Sequence, residues 1–222
     1  MANMGSKDIA RMIDHTLLKP EATQEDIRKL CDEARRFGFA CVCTNPIHVT
    51  LCKKILKDSD IKVCTVVDFP LGANKPEVKI LQTKLACRDG ADELDMVANI
   101  GVLKSNNLNL FEEDITSVVK AKNKGVILKV IIETAVLTDR EKEVAANIVK
   151  KCGADFVKTS TGFGPAGANA HDVALLRKTV GKQMGVKASG GIRTYAQVLE
   201  MIKAGANRIG TSASVKMMEE IC

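Results

Sequence analysis

Gly90-Ala91-Asp92-Glu93-Leu94-Asp95-Met96-Val97-Ala98 holds in nine residues the unit from which the rest of the chain is read. A helical pattern ends at the glycine, which tolerates the left-handed conformation of a helix C-cap, and an apolar run follows at once. Gly153-Ala154-Asp155 and Gly205-Ala206-Asn207 repeat the device, and Gly38 and Gly125 occupy similar places. Working outward, short apolar or β-branched runs fall at 13–17, 39–44, 62–69, 91–98, 127–133, 154–160, 186–189 and 207–211. Between them the spacing predicts helices over 23–37, 46–57, 75–88, 110–123, 138–151, 171–180 and 194–204. Thr23-x-x-Asp26 and Thr138-Asp139-Arg140-Glu141 are helix-start signals.

Eight strands in 222 residues leave about 28 residues per strand, loop, helix and loop. Parallel strands joined by crossover helices fit that period, and no linker divides the chain. The fold expected is a closed (β/α)8 TIM barrel, with a doubly wound open sheet as the alternative. The whole chain, 1–222, reads as one barrel domain, with residues 1–6 as a flexible N-terminal extension.

Composition narrows the function. The net charge is +6, with one Tyr, six Phe and no Trp, so there is little for nucleobases to stack on and nucleic-acid binding is not expected. No apolar run reaches the length of a membrane span, and the opening residues lack a secretory pattern, so the expected location is the cytoplasm. The eight cysteines form no C-x-x-C pair and fall mostly in apolar stretches, where free thiols act as small hydrophobes. Three scattered histidines offer no zinc spacing, and no metal or cofactor is expected.

Strands covered on both sides should be apolar, yet Asp95, Lys129, Lys158 and Lys187 lie inside them. A buried charge must pair, shift its pKa or sit at a wet rim. Asp95, Lys158 and Lys187 stand toward the C-terminal parts of their strands, which in a parallel barrel converge on one mouth. Two lysines sharing a partly dry space favour a neutral amine that attacks a carbonyl, with the second lysine and Asp95 moving protons. Periodicity does not choose between Lys158 and Lys187 as nucleophile, or exclude Lys129.

Glycine-bearing turns follow the late strands at 159–164, 189–193 and 210–214. Backbone N–H groups and hydroxyls in such turns bind anions, and barrels place phosphate on the last two loops. Gly191 and Ser212 are the expected contacts, with Gly190, Gly210 and Arg193 as further candidates. Gly162-Phe163-Gly164-Pro165-Ala166-Gly167 matches a dinucleotide-binding fingerprint, but no acidic residue lies between Asp172 and Glu200, where a ribose ligand belongs.

The motifs Val157-Lys158-Thr159-Ser160-Thr161-Gly162-Phe163-Gly164, Val186-Lys187-Ala188-Ser189-Gly190-Gly191-Ile192-Arg193 and Glu93-Leu94-Asp95-Met96-Val97 closely resemble the deoxyribose-phosphate aldolases. Ile13-Asp14-His15-Thr16-Leu17-Leu18, Val42-Cys43-Thr44-Asn45-Pro46 and Asp68-Phe69-Pro70-Leu71-Gly72 do so in the same order. The resemblance implies a TIM barrel and a Schiff-base aldolase without a metal. The implied reaction converts 2-deoxy-D-ribose 5-phosphate reversibly to D-glyceraldehyde 3-phosphate and acetaldehyde, in deoxyribose phosphate catabolism. It implies Lys158 as the Schiff-base lysine, Lys187 as the cation that lowers its pKa and Asp95 as proton relay. Asp14, Cys43 and Thr161 are implied as pocket residues, and Gly162, Gly191 and Ser212 as phosphate contacts. The partner is then a small sugar phosphate, with a homo-oligomer, dimer or tetramer, expected by base rate. A different Schiff-base lyase, or a non-catalytic sugar-phosphate-binding barrel, stands as the alternative.

Overall fold

Eight short strands pair in parallel in chain order, and the last returns to the first. The computed structural model describes residues 4–220. The strands are β1 (Ile13–Leu17), β2 (Cys41–Thr44), β3 (Lys62–Val67), β4 (Glu93–Val97), β5 (Ile127–Ile131), β6 (Phe156–Lys158), β7 (Gly185–Ser189) and β8 (Arg208–Thr211). Pairing of Ile13 with Ile209 and of Asp14 with Gly210 closes the barrel, which excludes the doubly wound alternative.

A helix α1 (Ser6–Ala10) precedes β1, and α2 (Gln24–Phe37), α3 (Val49–Ile55) and α4 (Pro76–Arg88) follow the first three strands. Two helices, α5 (Ile100–Lys104) and α6 (Leu108–Ala121), follow β4. The rest are α7 (Asp139–Lys151), α8 (Ala170–Val180), α9 (Tyr195–Ala204) and α10 (Ser214–Glu219). Thr23 and Thr138 cap α2 and α7 through reciprocal bonds with Asp26 and Glu141, and Gly38 ends α2 in the left-handed conformation. Among the described residues no helix is long and apolar enough to cross a membrane.

Strand geometry sorts the side chains. Successive residues point to opposite faces, so a step of two stays on one face. Ile13, Val42, Val63, Leu94, Met96, Leu128, Val130, Val157, Val186 and Ile209 join the main core with Ile27, Phe111, Ile115 and Val149 of the helices. Each such side chain contributes about 1.5–3 kcal/mol on burial. The alternate set, Asp14, Cys41, Cys43, Cys64, Glu93, Asp95, Lys129, Lys158, Lys187 and Arg208, faces the barrel interior. The main core is therefore the layer between strands and helices, while the interior is largely ionic.

Several boundaries differ from the sequence reading for identifiable reasons. The runs 62–69 and 127–133 stop being sheet at Val67 and Ile131, because Asp68 and Glu133 turn left-handed at φ 52° and 50°. The helix expected over 46–57 opens as a 3-10 turn at Pro46–His48 before α3. That expected over 110–123 begins at Leu108, because the Asn107 side chain caps it. The helices α1, α5 and α10 are too short to show a period. Of the expected N-terminal extension, residues 1–3 lie outside the described residues, Met4 packs against the core and Ser6 opens α1. The fingerprint-like glycines 162–167 lie in the loop between β6 and α8, ahead of the Asn169 cap.

Candidate active site

The register of the sheet brings the interior charges together. Asp95 pairs with Lys129 across β4 and β5, and Lys158 pairs with Lys187 across β6 and β7. The Asp95 carboxylate is the hub: Oδ1 accepts from Lys129 at 2.9 Å, and Oδ2 accepts from both Lys158 and Lys187 at 2.7 Å. Lys187 also donates to Oδ2 of Asp14, whose Oδ1 accepts from Arg208 at 2.7 Å. Arg208 reaches on to Glu93 at 2.8 Å, and Lys129 sits 2.5 Å from the other oxygen of Glu93. Asp14, Asp95, Lys129 and Lys187 are wholly inaccessible to solvent. Four basic groups thus face three carboxylates in a dry interior, where such groups persist only if each has a partner.

The charges hold one another in fixed states. Burial works against the Asp95 carboxylate, but Lys129, Lys158 and Lys187 override it and keep its pKa well below the usual range. Asp14 is lowered in the same way, with Lys187 and Arg208 outweighing burial. Burial alone would lower Lys187, yet Asp14 and Asp95 raise it above an ordinary lysine. Lys129 is raised too, its burial offset by Asp95, Cys64 and Glu93. In the resting site Lys187 and Lys129 are therefore held as cations and Asp95 as an anion.

Lys158 stands at the edge of this network. It lines a cavity of about 210 Å³ at the C-terminal mouth, which Lys129 and Lys187 do not reach. Thr161, Gly162, Gly190, Gly191, Arg193, Gly210 and Ser212 line the same cavity. Gly190 and Gly191 hold φ of 86° and 75°, values that suit glycine and turn successive N–H groups to one side. Among the described residues, the amides of Gly162, Gly190, Gly191 and Ser212 have no protein acceptor. The Lys158 amine and a nest of free amides share one small space. A larger hollow of about 720 Å³ lies beside α2 and α10, shares Thr16 and Ser212 with this cavity, and contains none of the interior charges.

The profile of the DeoC/LacD family aldolases matches residues 9–215. The chain belongs to this family. Among relatives of this DeoC/LacD chain, a deoxyribose-phosphate aldolase of Caldanaerobacter subterraneus subsp. tengcongensis is 58% identical, over 96% of this chain and 93% of its own. That of Thermococcus kodakarensis is also 58% identical, over 97% and 98% respectively. The solved structure of the tetrameric deoxyribose phosphate aldolase from Aeropyrum pernix superposes with a TM-score of 0.91 at 36% identity, covering 97% of this chain and 92% of that one.

The residues singled out in the sequence divide between two levels of this DeoC/LacD barrel. Lys158, Thr161, Gly162, Gly190, Gly191, Arg193, Gly210 and Ser212 line the cavity. Asp14, Asp95 and Lys187 lie in the ionic layer and reach the cavity through Lys158. Cys43 is also in the interior, packed with Leu18, Cys41, Cys64 and Val66. Its thiol, pushed up by a hydrogen bond with Cys64 and by burial, is held protonated. Gly210 has a second role beside the cavity: a Cβ there would lie 3.1 Å from Cε of Lys187, so its missing side chain makes room for that lysine.

Three functional neighbours escaped the sequence reading. Glu93 and Arg208 complete the ionic layer, and Glu133 bonds Thr161. Glu93 is two residues from Asp95, a same-face spacing that was available as a signal. Arg208 and Glu133 fall near the ends of the expected runs 207–211 and 127–133, where a charge reads as solvated. Cys41, Cys43 and Cys64 approach Glu93 and Asp95 closely enough to form potential metal-donor groups, an arrangement that sequence spacing did not anticipate. Three of those donors meet the Lys129 ammonium, which bonds Asp95 and Cys64 and pairs with Glu93.

Proposed function

We propose that the chain is a class I, Schiff-base aldolase that reversibly cleaves 2-deoxy-D-ribose 5-phosphate to D-glyceraldehyde 3-phosphate and acetaldehyde, in deoxyribose phosphate catabolism. The observation that carries this reading is the position of Lys158. Its amine shares Oδ2 of Asp95 with the fixed cation Lys187, and it faces a cavity whose other wall is a nest of free amides. The named activity of relatives 58% identical over nearly the whole chain supports the substrate.

In this reading Lys158 is the nucleophile. Its neutral amine adds to C1 of the open-chain aldehyde, and the carbinolamine loses water to give an iminium. The iminium takes the electron pair of the C2–C3 bond as that bond breaks. Asp95, through water, accepts the C3 hydroxyl proton, and glyceraldehyde 3-phosphate forms. The enamine left on Lys158 is protonated at C2, and hydrolysis releases acetaldehyde and the free amine. Lys187 supplies the positive charge that favours the neutral form of a neighbouring amine, and Asp14 holds Lys187 in place. The amides of Gly162, Gly190, Gly191 and Ser212, with Arg193 at the rim, bind the phosphate. The protein acts as one catalytic domain, in the cytoplasm, and as a homo-oligomer, dimer or tetramer. The tetramer of the Aeropyrum pernix relative supports the last point.

Borohydride reduction in the presence of acetaldehyde tests the assignment. The expected product is an ethylated Lys158 in the peptide map, and an adduct confined to Lys187 or Lys129 overturns the choice of nucleophile. A coupled assay for glyceraldehyde 3-phosphate over a panel of sugar phosphates tests the substrate. Preferential turnover of another sugar phosphate, or binding without turnover, would establish the alternatives instead.

A further inference from the structure

Glu133 is a buried acidic residue in a loop of the mouth that the mechanism above does not use. It follows β5 directly and adopts φ 50° and ψ 66°, a left-handed conformation that side chains other than Gly and Asn rarely take. The peptides on either side hold it there: the Ile132 amide donates to Lys158 O at 3.1 Å, and the Thr134 amide donates to Thr159 O at 2.9 Å. β5–β6 contact thus continues around Glu133 while its side chain is thrown toward the loop after β6. Such a backbone outlier persists where the surroundings over-determine it, and it is a reason to look for a function.

The carboxylate has a single target. Its Oε2 accepts from the Thr161 amide at 3.1 Å and from the Thr161 hydroxyl at 2.5 Å. The Thr161 hydroxyl oxygen in turn accepts from the Phe163 amide at 3.0 Å. The other carboxylate oxygen, Oε1, is buried without a partner among the described residues, and a Cβ on Gly164 would lie 2.9 Å from it, so the loop wraps closely around this side chain. Thr161, Gly162 and Phe163 line the cavity, and Glu133 does not. Two of the three successive amides, at 161 and 163, are thereby tied back into the protein, leaving that of Gly162 unpaired at the cavity wall.

We infer that Glu133 is a positioning residue for the phosphate end of the site: it anchors Thr161 at both donors and so aims the Gly162 amide at the bound anion. The inference rests on the reading that this cavity takes a sugar phosphate. It assigns Glu133 to recognition of the phosphate, and assigns bond cleavage to the Lys158 side.

The test compares 2-deoxyribose 5-phosphate with unphosphorylated 2-deoxyribose. Glu133→Ala is expected to raise KM for the phosphorylated sugar about 10-fold or more, the scale of a lost charge-assisted hydrogen bond, with kcat retained. Turnover of 2-deoxyribose is expected to stay near the unmutated rate, and Glu133→Gln, which keeps an acceptor oxygen, to restore KM. Thr161→Val supplies an independent variant should Glu133→Ala fail to fold, and is expected to weaken binding of inorganic phosphate. Calorimetry with inorganic phosphate reads the effect without turnover, and weaker phosphate binding in either variant supports the inference. Equal losses on both sugars, or unchanged KM and phosphate binding, overturn it. If the unmutated protein binds phosphate but does not cleave 2-deoxyribose 5-phosphate, the substrate reading fails, and calorimetry still decides the role of Glu133.

Discussion

Lys158 and Lys187 donate to the same oxygen, Oδ2 of Asp95, each at 2.7 Å. The two lysines differ in what else holds them. Lys187 has Asp14 as a second carboxylate and lies sealed inside the barrel, whereas Lys158 has Asp95 alone and opens to the cavity. One is held as a cation, and the other is the amine that opens to the cavity.

Removing the fixed cation makes loss of a proton from the neighbouring amine harder, because an adjacent positive charge favours the neutral form. Lys187→Leu is expected to move the rising limb of the pH–rate profile to higher pH, with lower activity at neutral pH. An unmoved profile, with activity simply scaled down, removes Lys187 from that role.

Gly210 presses this point from the neighbouring strand. A methyl group there meets Cε of Lys187 at 3.1 Å and Cβ of Ser189 at 3.0 Å, tighter than a packed site accepts without movement. Gly210→Ala is expected to cut kcat by roughly 10- to 100-fold through displacement of Lys187, with KM changing little. Steady-state kinetics decide between this and a phosphate role, which would raise KM and spare kcat.

Lys129 belongs to the layer below the reacting groups. It is fully buried and pairs with Glu93 and Asp95. Lys129→Met leaves buried carboxylate without its cation and is expected to cost about 3–5 kcal/mol in urea unfolding. Adding Glu93→Leu is expected to recover part of the loss. A single variant within about 1 kcal/mol of the parent shows the pair to be energetically neutral.

Acid stability follows from Asp14 and Asp95. Both carboxyls are held below the ordinary value of 3.8 by their cationic neighbours, against burial. A group whose folded pKa is depressed stabilises the fold fully above its unfolded value and loses that contribution as pH falls through the folded one. Stability is therefore expected to hold from neutral pH to about 5 and to fall steeply below 4. Asp14→Asn is expected to lower stability at pH 7 and flatten the acid limb. An equally steep limb in that variant assigns the acid sensitivity to other groups.

Much of the fold was legible because a parallel barrel writes itself locally. Val63, Leu128 and Val186 sit in runs that only a doubly covered strand requires, and Gly90, Gly153 and Gly205 mark the helix exits. The boundaries at Asp68 and Glu133 were not legible, since the left-handed turns there depend on contacts from neighbouring strands. Asp95, Lys158 and Lys187 stood out as charges in the wrong kind of strand. Glu93 and Arg208 did not announce their partnership, and nothing local joins positions 115 residues apart.

From the amino-acid sequence alone came the eight-unit period, the charges lodged in apolar strands and the chemical types available at the mouth. Only the closed barrel decided which charge meets which. Lys187 and Asp14 are 173 residues apart, and they touch because the return of β8 to β1 brings the two ends of the chain into register. Side-chain type and periodicity are local properties of a chain, whereas the burial that leaves Lys187 charged and Lys158 within reach of substrate depends on sheet closure.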